Sequence, residues 1–252
     1  MIGAARYRYG PDPAQFGELW RPDGPELGTV VIIHGGFWKA AYDLSLGRPL
    51  AADLADRGYA AWNLEYRRVG AGGGWPATFE DIAAGIDLLA DLPVNTTRVV
   101  AIGHSAGGHL GAWAAGRLRL PNGAPGARPR VAVTGVISQA GVLALADCAR
   151  DRLGTDAALA LMGGGPADLP DPYRLADPMA QLPSPARIVC LHSRRDDRVP
   201  YSYSEHYVAA AKTAGAQATL IETHGDHFTL IDPSTPDWES ALGVLPELLP
   251  QG

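Results

Sequence analysis

The sequence predicts an α/β fold with a mostly parallel central sheet and helices on both faces. Short runs of apolar, β-branched residues alternate along the chain with longer segments in which apolar residues recur at helical spacing. Such alternation is typical of a parallel sheet built from β-α units, because each helix returns the chain to the same edge of the sheet. The run at 29–33 is entirely apolar or β-branched, as expected of a strand that is buried on both faces.

The individual elements follow from local patterns. The segments around 6–9 and 16–20 alternate and are predicted to pair as antiparallel strands at one edge of the sheet. Thr78 is expected to cap the second helix, and the last helix is expected to kink or break near Pro246. The parallel strands are predicted at 29–33, 59–66, 99–102, 131–139, 187–192 and 218–222, and the helices at 46–57, 79–92, 109–115, 142–150, 156–162, 203–214 and 238–249.

We expect one domain over residues 1–252, since no linker or internal repeat divides the chain. Residues 142–185 form the longest stretch between two predicted strands. This stretch is too short to be a second domain, and we interpret it as a small lid insertion over the functional site.

Composition excludes several classes of function. The net charge is −6, which does not favour binding to nucleic acid or to an anionic membrane. No apolar run approaches the roughly 18 residues that span a bilayer, and residues 1–9 lack a signal-peptide core. Cys190 lies in an apolar run, which favours a buried free thiol over a disulfide with Cys148. We therefore expect a cytoplasmic monomer or homodimer.

The segment Gly103-His104-Ser105-Ala106-Gly107 follows a predicted buried strand and precedes a predicted helix. In this context Gly-x-Ser-x-Gly predicts a nucleophile elbow, the strained turn that holds a serine hydroxyl out of a sheet. The small residues on both sides of the serine permit such a turn. A glycine-rich turn without a chemical role is the simpler alternative.

A nucleophilic serine needs a base and an acid, and both are expected after strands, where the loops face one crevice. Asp196 and Asp197 follow the strand at 187–192, and a solvated charged loop is the alternative for both. His224 and His227 follow the last strand. We favour His227 because it lies deeper in its loop, beside apolar residues, whereas His224 leaves the strand directly and fits a surface position.

Backbone amides are the expected donors to a developing oxyanion. The Ala106 amide begins the helix after the serine, where the helix dipole also favours negative charge. The segment His-Gly-Gly-Phe-Trp at 34–38 follows an early strand. Its glycines permit a path that points the amides of Gly36 and Phe37 into the site.

Three further side chains near these segments are candidate walls of a substrate pocket. They are Trp38, Trp75 and His104. Packing in the core is the alternative for the two tryptophans, and a purely structural place within the elbow is the alternative for the histidine.

The order Ser105, Asp196, His227 is that of the α/β-hydrolase superfamily, which this chain resembles over essentially its full length. Within that superfamily, the segments 34–38 and 103–109 are similar to those of a small-esterase branch. That branch includes kynurenine formamidases (arylformamidases) and acetyl or feruloyl esterases.

The same resemblance decides between the two aspartates. In this branch the acid lies in a His-Gly-x-x-Asp-x-x-Val-Pro segment, which residues 192–200 match except that Ser193 replaces the glycine. The match selects Asp196. The triplet at 226–228, Asp-His-Phe, is similar to the base segment of the formamidases.

The resemblance implies a serine hydrolase that needs neither a metal nor an organic cofactor. A small carboxylic ester, cleaved through an acyl-enzyme, is the expected substrate, and the formamide of an aryl amine is the alternative. A non-catalytic binding protein on the same scaffold is a third hypothesis, which the complete serine, histidine and aspartate set disfavours.

Overall fold

A computed structural model describes residues 4–250, whose strands form one eight-stranded sheet. The strands are β1 (Ala5–Arg8), β2 (Phe16–Trp20), β3 (Thr29–Ile33), β4 (Ala60–Leu64), β5 (Val99–His104), β6 (Val133–Gln139), β7 (Arg187–Ser193) and β8 (Ala218–Thr223). Their order across the sheet is β1-β2-β4-β3-β5-β6-β7-β8. Only the β1–β2 and β2–β4 pairs are antiparallel. The predicted fold class and the antiparallel pair at one sheet edge are confirmed.

The α-helices of residues 4–250 are α1 (Arg48–Asp56), α2 (Ala77–Asp87), α3 (Ala106–Gly116), α4 (Leu145–Arg150), α5 (Leu153–Met162), α6 (Pro170–Ala176), α7 (Ser202–Thr213) and α8 (Pro236–Leu248). Seven of these eight helices correspond to predicted helices with shifted boundaries, and α6 was not predicted. Within the same residues, no helix has both the length and the apolar character that a membrane span requires. Residues 1–3, part of the N-terminal segment in which we expect no signal peptide, lie outside the described residues.

The expected cap of the second helix is wrong. Helix α2 begins at Ala77, so Thr78 already lies inside its first turn. The Thr78 hydroxyl instead accepts a hydrogen bond from the Gly74 amide at 2.9 Å and donates one to the Arg67 carbonyl at 2.7 Å. The side chain therefore ties the preceding loop to the helix.

Helices α6 and α8 both contain prolines, and the last helix is not broken at Pro246. Helix α8 starts at Pro236, where Thr235 accepts a hydrogen bond from the Trp238 amide, and it remains helical through Pro246 to its end. A proline removes one intrahelical hydrogen bond, and this one lies in the last turn of the helix. Helix α6 begins with Pro170, a position that suits proline because the first amide has no partner within a helix.

The sheet separates two apolar cores. Successive side chains of a strand point to opposite faces, so Val31 and Ile33 of β3 face one core while Val30 and Ile32 face the other. Helices α2, α3 and α7 cover the first core, and α1 and α8 cover the second. Helices therefore lie on both faces, as predicted.

Residues 142–185 contain α4, α5 and α6 and contact the segment after β3. At the start of α5, residues 154–156 have left-handed backbone angles, with φ of 62°, 59° and 60°. The Gly154 carbonyl accepts a hydrogen bond from Lys39 Nζ at 2.8 Å. A methyl group at Gly154 would lie 2.4 Å from Cδ1 of Phe37, so the Gly154 backbone lies close against the Phe37 ring. The insertion thus contacts residues 37 and 39, directly after β3.

Candidate active site

The turn between β5 and α3 holds Ser105 in a strained conformation. Its φ is 54° and its ψ is −116°, which lies outside the regions that L-residues favour. A Cβ at Gly103 would lie 2.1 Å from the Gly107 carbonyl oxygen, and a Cβ at Gly107 would lie 1.9 Å from the Ile33 carbonyl oxygen. Both flanking glycines are therefore required by close backbone approach.

Asp196 follows β7 and is held from several sides. Its Oδ1 accepts hydrogen bonds from the Arg198 and Val199 amides, both at 2.8 Å. Its Oδ2 lies 2.6 Å from His227 Nδ1 and 3.3 Å from His192 Nε2. Burial alone raises the pKa of this carboxyl, but hydrogen bonds from the two histidines and from the Val199 amide outweigh it and lower the pKa.

His227 follows β8 and is buried together with its partner. The side chains of His227 and Asp196 are 4 % and 1 % exposed. By contrast, Asp197 is 70 % exposed and pairs with Arg198 at 3.3 Å, and His224 is exposed. The structure thus brings together the favoured aspartate and the favoured histidine and leaves the two alternatives at the surface.

His104, which precedes Ser105 in the elbow, contacts the loop that carries His227. The His104 Nε2 donates a hydrogen bond to the His227 carbonyl at 2.8 Å, and the two rings lie 4.5 Å apart. The Ser105 hydroxyl itself forms no hydrogen bond with any residue of 4–250.

His104 is neutral at ordinary pH. Burial disfavours the charged ring and lowers its pKa to about 3. With Nε2 carrying the proton, the ring offers Nδ1 as an acceptor, which has no partner among the described residues. His104 therefore adds no positive charge beside His227.

Three backbone amides near Ser105 are free to receive an anionic oxygen. No described residue accepts a hydrogen bond from the N–H of Gly36, Phe37 or Ala106. Gly36 has a φ of 110° and Phe37 a φ of 51°, so the segment turns through left-handed conformations. A Cβ at Gly35 would lie 3.1 Å from Ser105 Cβ, which places this segment directly beside the serine.

The sequence did not reveal the polar network behind these amides. Glu65 is buried. Its carboxylate accepts a hydrogen bond from His34 at 3.2 Å and forms an ion pair with Arg68 at 2.9 Å. Tyr66 donates its hydroxyl to the His34 carbonyl at 2.9 Å. A glutamate within the apolar strand predicted at 59–66 was the available signal, because a buried charge requires partners. The sequence likewise did not show that His192 contacts Asp196.

The three candidate pocket walls occupy different environments. Trp38 is fully buried and packs edge-on against His109 at 5.2 Å, so contact with a substrate would require its neighbours to move. Trp75 is partly buried, and its amide donates to the Leu161 carbonyl of the 142–185 insertion at 2.7 Å. Exposed aromatic surface instead comes from Phe228, whose ring is 5.3 Å from that of His227.

Residues 4–250 contain no cluster of three or more histidine, cysteine, aspartate or glutamate side chains that could hold a metal ion.

Comparison with known protein families identifies the family of this chain. The BD-FAE family model matches residues 21–210, about three quarters of the sequence. The chain belongs to the BD-FAE family. A search of curated proteins returned no match for this BD-FAE family member.

Solved structures similar to this BD-FAE family member share its fold at low sequence identity. A truncated carbohydrate esterase from gut microbiota superposes with a TM-score of 0.81 at 21 % identity, covering 99 % of this chain and 98 % of that one. Esterase B from Lactobacillus rhamnosis superposes with a TM-score of 0.81 at 22 % identity, covering 98 % of this chain and 85 % of that one. Butyrate-bound esterase 2 from Thermogutta terrifontis superposes with a TM-score of 0.77 at 20 % identity, covering 100 % of this chain and 97 % of that one. The protein therefore has the α/β-hydrolase fold, and its resemblance to kynurenine formamidases remains a prediction.

Proposed function

We propose that this protein is a serine hydrolase that cleaves small carboxylic esters through an acyl-enzyme. The observation that carries the proposal is the buried Asp196–His227 hydrogen bond of 2.6 Å, set beside the strained turn at Ser105. The similar solved structures are esterases, one of them a carbohydrate esterase and another bound to butyrate. These names support a short-chain acyl group on the substrate.

In the proposed reaction His227 removes the proton from the Ser105 hydroxyl while the oxygen attacks the ester carbonyl carbon. Asp196 accepts the hydrogen bond from His227 Nδ1, which leaves Nε2 as the basic nitrogen, and it stabilises the imidazolium that forms. His227 then protonates the leaving alcohol. Water repeats the attack on the acyl-enzyme and releases the acid.

The three unpartnered amides supply the proposed oxyanion hole. Gly36, Phe37 and Ala106 would donate to the oxygen that becomes negative in the tetrahedral intermediate, where one such donor typically contributes about 3 kcal/mol. They are held in place before substrate arrives, so little reorganisation is needed during the reaction. Ala106 also begins α3, whose dipole favours the negative charge.

We further infer that residues 142–185 act as a lid within one domain. The close contact between Gly154 and Phe37 and the hydrogen bond from the Trp75 amide support this role. Both contacts join the insertion to segments that border the site.

Labelling with a fluorophosphonate probe tests the proposed function. We expect the wild-type protein to be labelled and Ser105→Ala to be unlabelled with an unchanged melting temperature. Hydrolysis rates on an aryl acetate, an aryl butyrate and N-formylkynurenine would then be compared. A folded wild-type protein that is not labelled would refute the proposal, and a formamide rate above the ester rates would reverse the substrate assignment.

A further inference from the structure

His34 has a hydrogen-bond acceptor at each ring nitrogen. Its Nδ1 lies 2.8 Å from the Gly35 carbonyl oxygen, and its Nε2 lies 3.2 Å from Oε1 of Glu65. A carbonyl oxygen and an ionised carboxylate only accept hydrogen bonds, and a neutral imidazole carries one N–H. A neutral ring would therefore leave two acceptors facing each other at one of its nitrogens. Since the side chain is fully buried, that mismatch would be costly.

The surroundings of Glu65 favour its ionised form. Its carboxylate accepts hydrogen bonds from the Leu44 and Tyr66 amides at 3.0 and 2.9 Å, and the Arg68 guanidinium lies 2.9 Å away. Donors and a neighbouring positive charge stabilise a carboxylate over a carboxylic acid. The proton shared by this buried pair therefore resides on His34, which donates from both nitrogens.

The same contact sets the orientation of a peptide that borders the nucleophile. The Gly35–Gly36 bond is trans, so its carbonyl and its N–H point in opposite directions. Because His34 Nδ1 holds the carbonyl, the Gly36 N–H is directed to the other side. That N–H has no acceptor among the described residues.

We propose that His34, protonated on both ring nitrogens and held by Glu65, is a positioning residue that keeps the Gly36 N–H directed at the oxyanion. The role rests on the proposed hydrolase function. Without a donor at Nδ1 the peptide can rotate, and rotation would bring the Gly35 carbonyl, rather than an N–H, toward the developing negative charge. His34 acts through the backbone and touches no reacting atom.

Three substitutions separate this role from simple packing. In His34→Asn the amide nitrogen occupies nearly the place of Nδ1, so the donor to Gly35 is kept. In His34→Gln the amide reaches the place of Nε2 and contacts Glu65, but the donor to Gly35 is lost. His34→Ala loses both. A packing role ranks the variants by size, with Gln above Asn, whereas the proposed role ranks Asn above Gln.

We expect His34→Gln and His34→Ala to lose about 10- to 100-fold in kcat, less than the full removal of an oxyanion donor because the amide remains present. KM should change little, since the interaction forms in the transition state. The kcat of His34→Asn should stay within about 3-fold of the wild type, because the asparagine keeps the donor to Gly35. Exposed His224→Ala is the matched control, with unchanged kinetics. Equal kcat in the wild type and His34→Gln would overturn the proposal.

An inhibitor that forms an oxyanion provides a second readout. The Ser105 oxygen adds to the carbonyl carbon of a methyl trifluoromethyl ketone, and the hydroxyl proton passes to His227, which leaves a hemiketal oxyanion in the hole. Its Ki should rise across the His34 variants in proportion to the fall in kcat/KM. A Ki that does not follow kcat/KM would contradict the positioning role.

The protonation state can be measured in the wild-type protein, where folding of a variant is not at issue. Long-range ¹H–¹⁵N correlation spectra at pH 7 should show both His34 nitrogens protonated, with the assignment made by loss of the signals in His34→Asn. One unprotonated nitrogen would refute the inference. If the wild-type protein is not labelled by the fluorophosphonate probe, the hydrolase function is refuted instead. Failure of the His34 proposal and failure of the hydrolase function are therefore distinguishable.

Discussion

Replacing Asp196 by asparagine tests which of two adjacent carboxylates serves as the acid. The substitution keeps an oxygen that can accept from the Arg198 and Val199 amides, which now bind Oδ1 at 2.8 Å. It replaces Oδ2, which lies 2.6 Å from His227 Nδ1, by an NH₂ group without charge. Because the NH₂ then faces His227, the ring must carry its proton on Nε2, and that nitrogen can no longer act as the base.

The magnitude follows from this change of tautomer. The same aspartate-to-asparagine substitution in other serine hydrolase triads lowers kcat by about 10⁴. We expect a loss of about 10³ to 10⁴ here, equivalent to roughly 4 to 5.5 kcal/mol of transition-state stabilisation. KM for the ester should change far less, because Asp196 does not contact the substrate.

Asp197→Asn is the matched control, one residue away. Its side chain is 70 % exposed, and its ion pair with Arg198 is a surface contact that contributes little. We expect its kcat to stay within about 2-fold of the wild type by the same argument. Both variants would be assayed on an aryl acetate over a range of pH, with circular dichroism to verify folding.

A large loss in Asp197→Asn together with near-normal activity in Asp196→Asn would refute the assignment. Equal, small losses in both would show that His227 needs no charged partner. Either result would require a different account of the 2.6 Å contact.

Three further outcomes are expected. Gly154→Ala should lower the melting temperature more than Gly163→Ala: both replace a left-handed glycine, at a cost of about 1 to 2 kcal/mol, but only the first places a methyl group 2.4 Å from a side chain. Cys148 and Cys190 should resist iodoacetamide at pH 8 in the native protein and react after denaturation, because burial raises the pKa of both thiols to about 12. Since folding lowers the pKa of Asp196, its stabilising contribution is present above the unfolded pKa of about 4 and is lost as the pH falls below it. Chemical denaturation of Asp196→Asn should therefore show a weaker loss of stability on acidification below pH 4 than the wild type does.

The elements that local sequence determines could be predicted well. The turn at Ser105 depends on glycines within two residues of it, and the strand before it and the helix after it have strong apolar patterns. The loops that carry Asp196 and His227 followed from the expectation that catalytic side chains lie after parallel strands, whereas the choice of Asp196 over Asp197 came from the family resemblance. The structure brings both to the same edge of the sheet and within hydrogen-bond distance. Their catalytic roles remain predictions.

Features that depend on distant pairs could not be predicted in the same way. Glu65 and His34 are 31 residues apart, and nothing local shows that the end of β4 supplies a carboxylate to the turn after β3. The Thr78 hydroxyl binds loop backbone rather than the helix start, because the loop conformation decides which amide it meets. The burial of Trp38 depends on His109, which belongs to a different element. Aromatic residues beside a catalytic motif suit a pocket wall and a core equally well.

The contact between Gly154 and Phe37 has a consequence for how this sequence can diverge. Any side chain at position 154 would collide with the ring at position 37, and a smaller residue at position 37 would leave a void against the insertion. The two positions lie far apart in the chain but share one volume, so they can change only together. Among relatives in which residues 142–185 have this conformation, glycine should accompany an aromatic residue at position 37. A larger residue at 154 should occur only where position 37 has become small.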